Sequence, residues 1–179
     1  MRAIVPERRY PYHGYMKSLK ALFSFPHPVN EHSARCVAGG VVIMCALILL
    51  TQQLWILIFL TYGFWARALT GPTLSPLGQF VTRVVVVQAK WKPKYVPGPP
   101  KRFAQSIGAA LSTIATAFWL TGNSQGALIC VALILVAATL ESVFSFCVGC
   151  TIFGWLMKIG VIPQSVCEAC TIPTKSSPR

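Results

Sequence analysis

Apolar positions along the chain gather into two pairs of long runs, each pair broken by a short polar turn. The first pair runs from Ala34 through Leu50, turns at Thr51-Gln52-Gln53 and returns from Leu54 to Leu69. The second runs from Phe103 to Leu120, turns at Thr121-Gly122-Asn123-Ser124 and returns from Gly126 to Gly149. A helix needs about 17 to 25 predominantly apolar residues to cross the hydrocarbon core of a bilayer. The second pair meets that length with ease, and the first sits at its short end. The pattern predicts an all-α membrane protein of four transmembrane helices, arranged as two parallel-repeat hairpins, plus short interfacial helices. It divides the chain into an N-terminal segment (1–33), a four-helix domain (34–150) with a loop at 70–102, and a C-terminal segment (151–179).

The flanking stretches carry weaker signals. Tyr15 to Phe25 sets Lys17 and Lys20 apart from Leu19, Leu22 and Phe23, as a short helix lying among lipid headgroups would. Ser75-Pro76 has the form of an N-cap and first helical residue. Leu77, Phe80, Val81 and Val84 follow at helical spacing, although Val84 to Val87 also suits an extended segment. With four prolines, Lys92 to Pro100 reads as a stiff connector without regular structure.

Composition sharpens the class. Of 179 residues, 54% are hydrophobic and only 11% charged, with a mean hydropathy of +0.59. A soluble domain carries about 25% charged residues, so a soluble enzyme is excluded. No cleavable signal peptide is expected, because the first apolar run begins only near Ala34. The 16 Lys and Arg outnumber the 4 acidic residues, a net charge of +12. Fourteen of these cations fall before the first run, between the two pairs or after the last run, and the other two, Arg35 and Arg67, sit at the outer ends of the first pair. Neither hairpin turn is charged. Loops rich in Lys and Arg stay on the cytoplasmic side during insertion, so both termini and the central loop are expected in the cytoplasm. Topology and lipid contact account for the basic residues without nucleic acid.

The two hairpins resemble each other. At an offset of 70, Ala34-Arg35-Cys36-Val37-Ala38-Gly39-Gly40 aligns without gaps to Ala104-Gln105-Ser106-Ile107-Gly108-Ala109-Ala110, and Leu50-Thr51 to Leu120-Thr121. Two-span repeats of this kind run parallel, related by an axis along the membrane normal. Small residues at Ala34, Ala38, Ala104 and Gly108 would let the first and third helices approach closely.

Four cysteines carry the candidate chemistry. Cys147, Cys150, Cys167 and Cys170 form a C-x2-C-x16-C-x2-C pattern. Two residues between cysteines let both sulfurs converge on one tetrahedral ion, so the set suits a zinc site. The same pairs suit thiol redox or sulfur relay, since each can cycle between dithiol and disulfide and one can exchange with the other. The segment Thr151 to Gly160 reads as a short helix stopped by glycine, after which the chain could bring the pairs together. The cytoplasmic placement argues against a stable structural disulfide. Cys36, Cys45 and Cys130 sit within apolar runs as packing residues.

Glu141 is the one acid inside a predicted span, about 12 Å along the helix from Gly149. An ionisable group at that depth needs a partner, and Arg35 and Arg67, at the cytoplasmic ends of the first hairpin, are the expected ones. His13 and His27 have no metal-motif spacing. His32 reads as a first-turn residue capped by Asn30. A transporter subunit using the repeat interface near Glu141 is a further expectation from the repeat.

A set of short strings, in order, resembles the family of bacterial membrane proteins known as domain of unknown function 4395. They are Phe25-Pro26-His27-Pro28-Val29-Asn30-Glu31 with Arg35, Tyr62-Gly63-Phe64-Trp65-Ala66-Arg67, Gly71-Pro72 with Ser75-Pro76, Pro99-Pro100-Lys101-Arg102-Phe103-Ala104-Gln105, and the two cysteine pairs. The resemblance implies a small multi-span protein that keeps company with thioredoxin-like or sulfurtransferase proteins, and it supplies no activity. Together these observations lead to a cytoplasm-facing tetra-cysteine site in thiol redox or sulfur relay, or else to a binding or assembly protein whose cysteines hold zinc. Membrane lipids, a thioredoxin-like or sulfurtransferase carrier, and a membrane partner or second copy are the expected contacts.

Overall fold

The computed structural model describes residues 29–89 and 94–163. A two-residue strand, β1 (Val29–Asn30), leads into helix α1 (Glu31–Thr51), which turns into α2 (Leu54–Thr70). A shorter helix, α3 (76–89), follows, then strand β2 (Tyr95–Val96), α4 (Gly98–Leu120), α5 (Ser124–Phe144) and α6 (Val148–Lys158). The Tyr15–Phe25 segment, Cys167 and Cys170 lie outside the described residues.

Local chemistry explains these boundaries. Asn30 caps α1 by accepting the His32 N–H at 3.1 Å, as its position before the apolar run predicts. Gln52 closes α1 in the left-handed region with φ of 52°, its N–H reaching the Ile48 carbonyl. Ser75 caps α3 through the Gly78 N–H, with Pro76 in the first turn. Val81–Val85 is a π-helical turn and Val86–Ala89 is α-helical, so the valine run is helix and not strand. From Tyr95 onward the proline-rich connector has the regular structure that its composition does not predict. Tyr95 and Val96 pair antiparallel with Asn30 and Val29. Pro99 and Pro100 lie in the first turn of α4, where a missing N–H breaks no helical bond.

The fourth apolar run is also not one helix. α5 stops at Phe144 because Ser145 turns into the left-handed region, φ of 57°. The N–H groups of Ser145 and Phe146 both go to the Leu140 carbonyl, and the chain leaves the helix there. Cys147 and Cys150 therefore open a new helix. Glu141 lies three residues from the end of α5, about 5 Å along its axis and much shallower than an uninterrupted run would place it.

Packing follows an order that sequence spacing did not predict. α1 lies along α5, α2 along α4, and α4 along α5, while α1 and α4 do not share a packed face. The small residues of α4 serve other neighbours instead. Gly108 leaves room for the Phe64 ring of α2, and Ala104 meets Gly149 of α6. Cys45, Ile48, Leu57, Leu60, Ala115, Val131 and Ile134 fill the centre. Polar contacts add to the α2–α4 seam, where Thr61 Oγ1 lies 3.1 Å from Thr116 Oγ1 and Trp65 Nε1 donates to Thr113 Oγ1 at 3.0 Å.

The outside is as apolar as the core. Ile43, Leu50, Trp55, Ile58, Phe59, Ile129, Leu133 and Val136 are exposed, a surface that water would oppose and lipid accommodates. α1, α4 and α5 are each long and apolar enough to cross a membrane, and α2 is a shorter apolar helix of 17 residues.

Candidate functional site

The charged and polar groups collect at one end of the bundle, where α4 begins and α1's first turn, α2's last turn and α5's last turn meet. Lys101, in the first turn of α4, reaches α5 and pairs with Glu141, Nζ to Oε1 2.5 Å. Both side chains are largely buried, 11% and 14% exposed. This corrects the expectation that Arg35 and Arg67 serve Glu141. Arg35 lies on α1 and closes the end of α5, donating from Nε and Nη2 to the Ser142 carbonyl and from Nη2 to that of Val143. Those carbonyls have no partner within the helix, so a cation fits there. Arg67 turns toward α4 and α3. Its Nε donates to Gln105 Oε1 at 2.9 Å and its Nη1 to Ser75 Oγ at 3.2 Å, with the guanidinium 4.7 Å from the Phe64 ring centre. Its buried Nη2 has no hydrogen-bond partner among the described residues. Arg102 mirrors Arg35 by donating to the Ala68 carbonyl near the end of α2.

Cys147 sits at the edge of this polar end as the N-cap of α6. Its sulfur accepts the Cys150 N–H at 3.3 Å and the Cys150 thiol, sulfur to sulfur, at 2.7 Å. Two intervening residues, with the second cysteine in the first helical turn, produce this convergence. The α6 helix is held to α4 by the close approach of Gly149 to Ala104 and by the rings of Phe103 and Phe153, 5.6 Å apart. That contact fixes the thiols beside Lys101.

The two thiols are electrostatically unequal. Cys147 is held below the usual thiol range, chiefly because Cys150 donates its S–H, with the Lys101 ammonium acting in the same direction against burial and Glu141. Cys150 is pushed well above that range, because its proton is held in the bond to Cys147 and it is buried beside the Cys147 charge. A helix N-terminus further favours the anion at the capping position. Of the two, Cys147 is the thiol favoured to ionise first. Both are half-buried and line a cavity of about 400 Å³ together with Glu31, Val96, Pro97, Lys101 and Phe146. Glu31 is itself paired with Lys94 at 2.7 Å.

Of the sequence-predicted site residues, the fold brings Cys147 and Cys150 together and sets Glu141 near them through Lys101. Among the described residues, no three His, Cys, Asp or Glu side chains converge as a metal-binding set. Cys45 and Cys130 are buried in the bundle and Cys36 is half-buried on α1. Lys101 is the functional residue that the sequence reading missed. Its signal was its register: Lys101, Ala104 and Gly108 lie three and four residues apart, on the face of α4 that packs inward.

Helical hairpins with an apolar exterior and their charges gathered at one end define the class of small helical membrane proteins. The chain belongs to the family described as Domain of unknown function (DUF4395), whose model matches residues 29–158. The matched segment contains the bundle with Cys147 and Cys150, and it ends before Cys167 and Cys170. No curated protein and no solved structure matches the chain.

Proposed function

We propose that the protein is a four-span bacterial inner-membrane protein, both termini cytoplasmic, that performs thiol–disulfide exchange or sulfur transfer at Cys147 and Cys150. α2, at 17 residues, is long enough to serve as the fourth span. The duplication gains support from the packing: a two-fold axis relating the hairpins would exchange the α1–α5 pair with the α2–α4 pair. The starts of α2 and α5, Leu54 and Ser124, keep the offset of 70.

The single observation that supports the chemical reading is the convergence of the two sulfurs, 2.7 Å apart at the start of α6 and beside Lys101, with Cys147 the thiol favoured to ionise first. In this scheme the Cys147 thiolate attacks one sulfur of a cytosolic carrier's disulfide. A Cys147–carrier bond forms, and the carrier's other sulfur leaves as a thiolate. Cys150 then gives its proton to that thiolate and attacks Cys147. The products are a Cys147–Cys150 disulfide and a reduced carrier, so two electrons pass from the protein to the carrier. Given a persulfide carrier, the same thiolate takes the outer sulfur and the carrier leaves as a thiol.

The test is a metal and thiol titration of detergent-purified protein under reducing conditions, followed by exchange with a thioredoxin-like dithiol–disulfide couple. Metal-free protein whose Cys147 and Cys150 exchange with the couple is the expected result. About one zinc per chain, with thiols unreactive until chelation, would overturn it in favour of a structural site completed by Cys167 and Cys170.

A further inference from the structure

We infer that α3 and α6 are membrane-surface helices whose outer faces bind the anionic headgroup layer of the bilayer, holding Cys147 and Cys150 at that surface. The inference rests on the spanning reading of the bundle and is independent of the thiol chemistry. Both helices are too short to cross a membrane. α3 has 14 residues and α6 has 11, about 21 and 16 Å of helix against a hydrocarbon core of about 30 Å. Each follows the second helix of its hairpin and packs on the first helix of the same hairpin. Leu77 of α3 fills the space that Gly40 leaves on α1, and Gly149 of α6 meets Ala104 of α4.

The faces turned away from the bundle share one spacing. In α3, Gly78 and Val81 are buried while Phe80, Arg83 and Val87 are exposed. In α6, Gly149 and Phe153 are buried while Ile152, Trp155 and Ile159 are exposed. Steps of three and then four residues set each exposed triplet along one side of its helix. Five of these six side chains are apolar, a surface that water opposes.

Continuity and charge select lipid as the cover. Val143, Phe144 and Phe146 are exposed as well, so the lipid-facing surface of α5 runs on toward the outer side of α6. Tryptophan, as at Trp155, favours the boundary between acyl chains and headgroups. Arg83 on α3 and Lys158 at the end of α6 are exposed cations, whereas Glu31 and Glu141, the two acids among the described residues, are each engaged by a lysine. Short helices with an apolar stripe and flanking cations lie in the plane of an anionic leaflet. Cys147 caps α6, so seating this helix in the headgroup layer holds both thiols where a membrane-surface partner reaches them.

The test places the photocrosslinker p-benzoylphenylalanine at Phe80, Trp155 or Phe59 of the full chain, in nanodiscs of equal phosphatidylglycerol and phosphatidylcholine. Phe59 is exposed on α2 and reports the spans. After irradiation, intact-protein mass spectrometry identifies the adducts. Lipid adducts are expected at all three positions. At Phe80 and Trp155 the anionic lipid should exceed the zwitterionic one by at least about twofold, and Arg83→Gln with Lys158→Gln should abolish that excess. Lipid adducts at Phe59 with none at Phe80 or at Trp155, or adducts there only to protein, would overturn the inference while sparing the spanning reading. Equal yields of the two lipids at Phe80 and Trp155, or an excess that survives the double substitution, would also overturn it. Absence of lipid adducts at all three positions would remove the spanning reading with it.

Discussion

Gly149 joins the thiol helix to the bundle, and adding one methyl group there tests whether that contact matters. A Cβ at this position would lie 2.5 Å from the Ala104 Cβ and 2.6 Å from the Ala104 Cα. Carbon atoms in contact prefer about 3.5–4.0 Å, so in Gly149→Ala the α6 backbone must move away from α4 by about 1 Å. Ala104 cannot yield by rotating a side chain, because one of the clashing atoms belongs to the backbone. Overpacking of this kind costs about 1–3 kcal/mol. The displacement also carries Cys147 away from Lys101, one turn earlier on α4. For charges on the order of 5 Å apart at an effective dielectric of about 20, a further 1 Å weakens the attraction by about 0.5 kcal/mol. That amounts to about 0.4 pH unit in the thiol titration. Thermal unfolding in detergent and the pH profile of Cys147 alkylation should both shift, the latter toward higher pH. Gly154→Ala is the control, because nothing lies within 4 Å of its added Cβ, and it should be neutral or slightly stabilising. If Gly149→Ala melts like the wild type with an unchanged Cys147 profile, the packing contact does not set the site.

Three further outcomes follow from the polar end. Glu141→Ala leaves the largely buried Lys101 ammonium unpaired and should destabilise the protein by about 3 kcal/mol, whereas Lys101→Met with Glu141→Leu should be much milder; thermal melts of the three proteins decide this. Arg67→Lys cannot bond Gln105 and Ser75 together as the guanidinium does, and should cost about 2 kcal/mol; an unchanged melting temperature would contradict the role given to the fork. A membrane-impermeant maleimide should label Asn123→Cys only from the non-cytoplasmic side, and labelling from the cytoplasm would reverse the topology.

The helical skeleton was legible because apolar runs and caps are local. Asn30, Ser75-Pro76 and the two polar hairpin turns fall where the sequence places them, and α1 and α2 begin and end within a few residues of their apolar runs. The break at Ser145 was not legible, since Phe146, Cys147 and Val148 continue the apolar run and a left-handed residue leaves no trace in hydropathy. The partner of Glu141 was hidden for a different reason. These cations lie together at one end of the bundle, so Arg35, Arg67, Lys101 and Arg102 all compete. Which one meets the carboxylate depends on helix rotation and neighbour order. The spacing of small residues misled in the same way: Gly108 does mark a close approach, but to Phe64 of α2 and not to α1.

The central claim is that Cys147 is the nucleophile of an unequal pair, and the most direct measurement is the pH dependence of alkylation at each cysteine in the reduced, full-length protein. A lowered thiol pKa puts the thiolate present at lower pH, so Cys147 should reach half its maximal rate below the ordinary cysteine value of about 8.5. Cys150 should react only well above it. A Cys147 half-point at or above about 8.5, or Cys150 reacting first, would contradict the account.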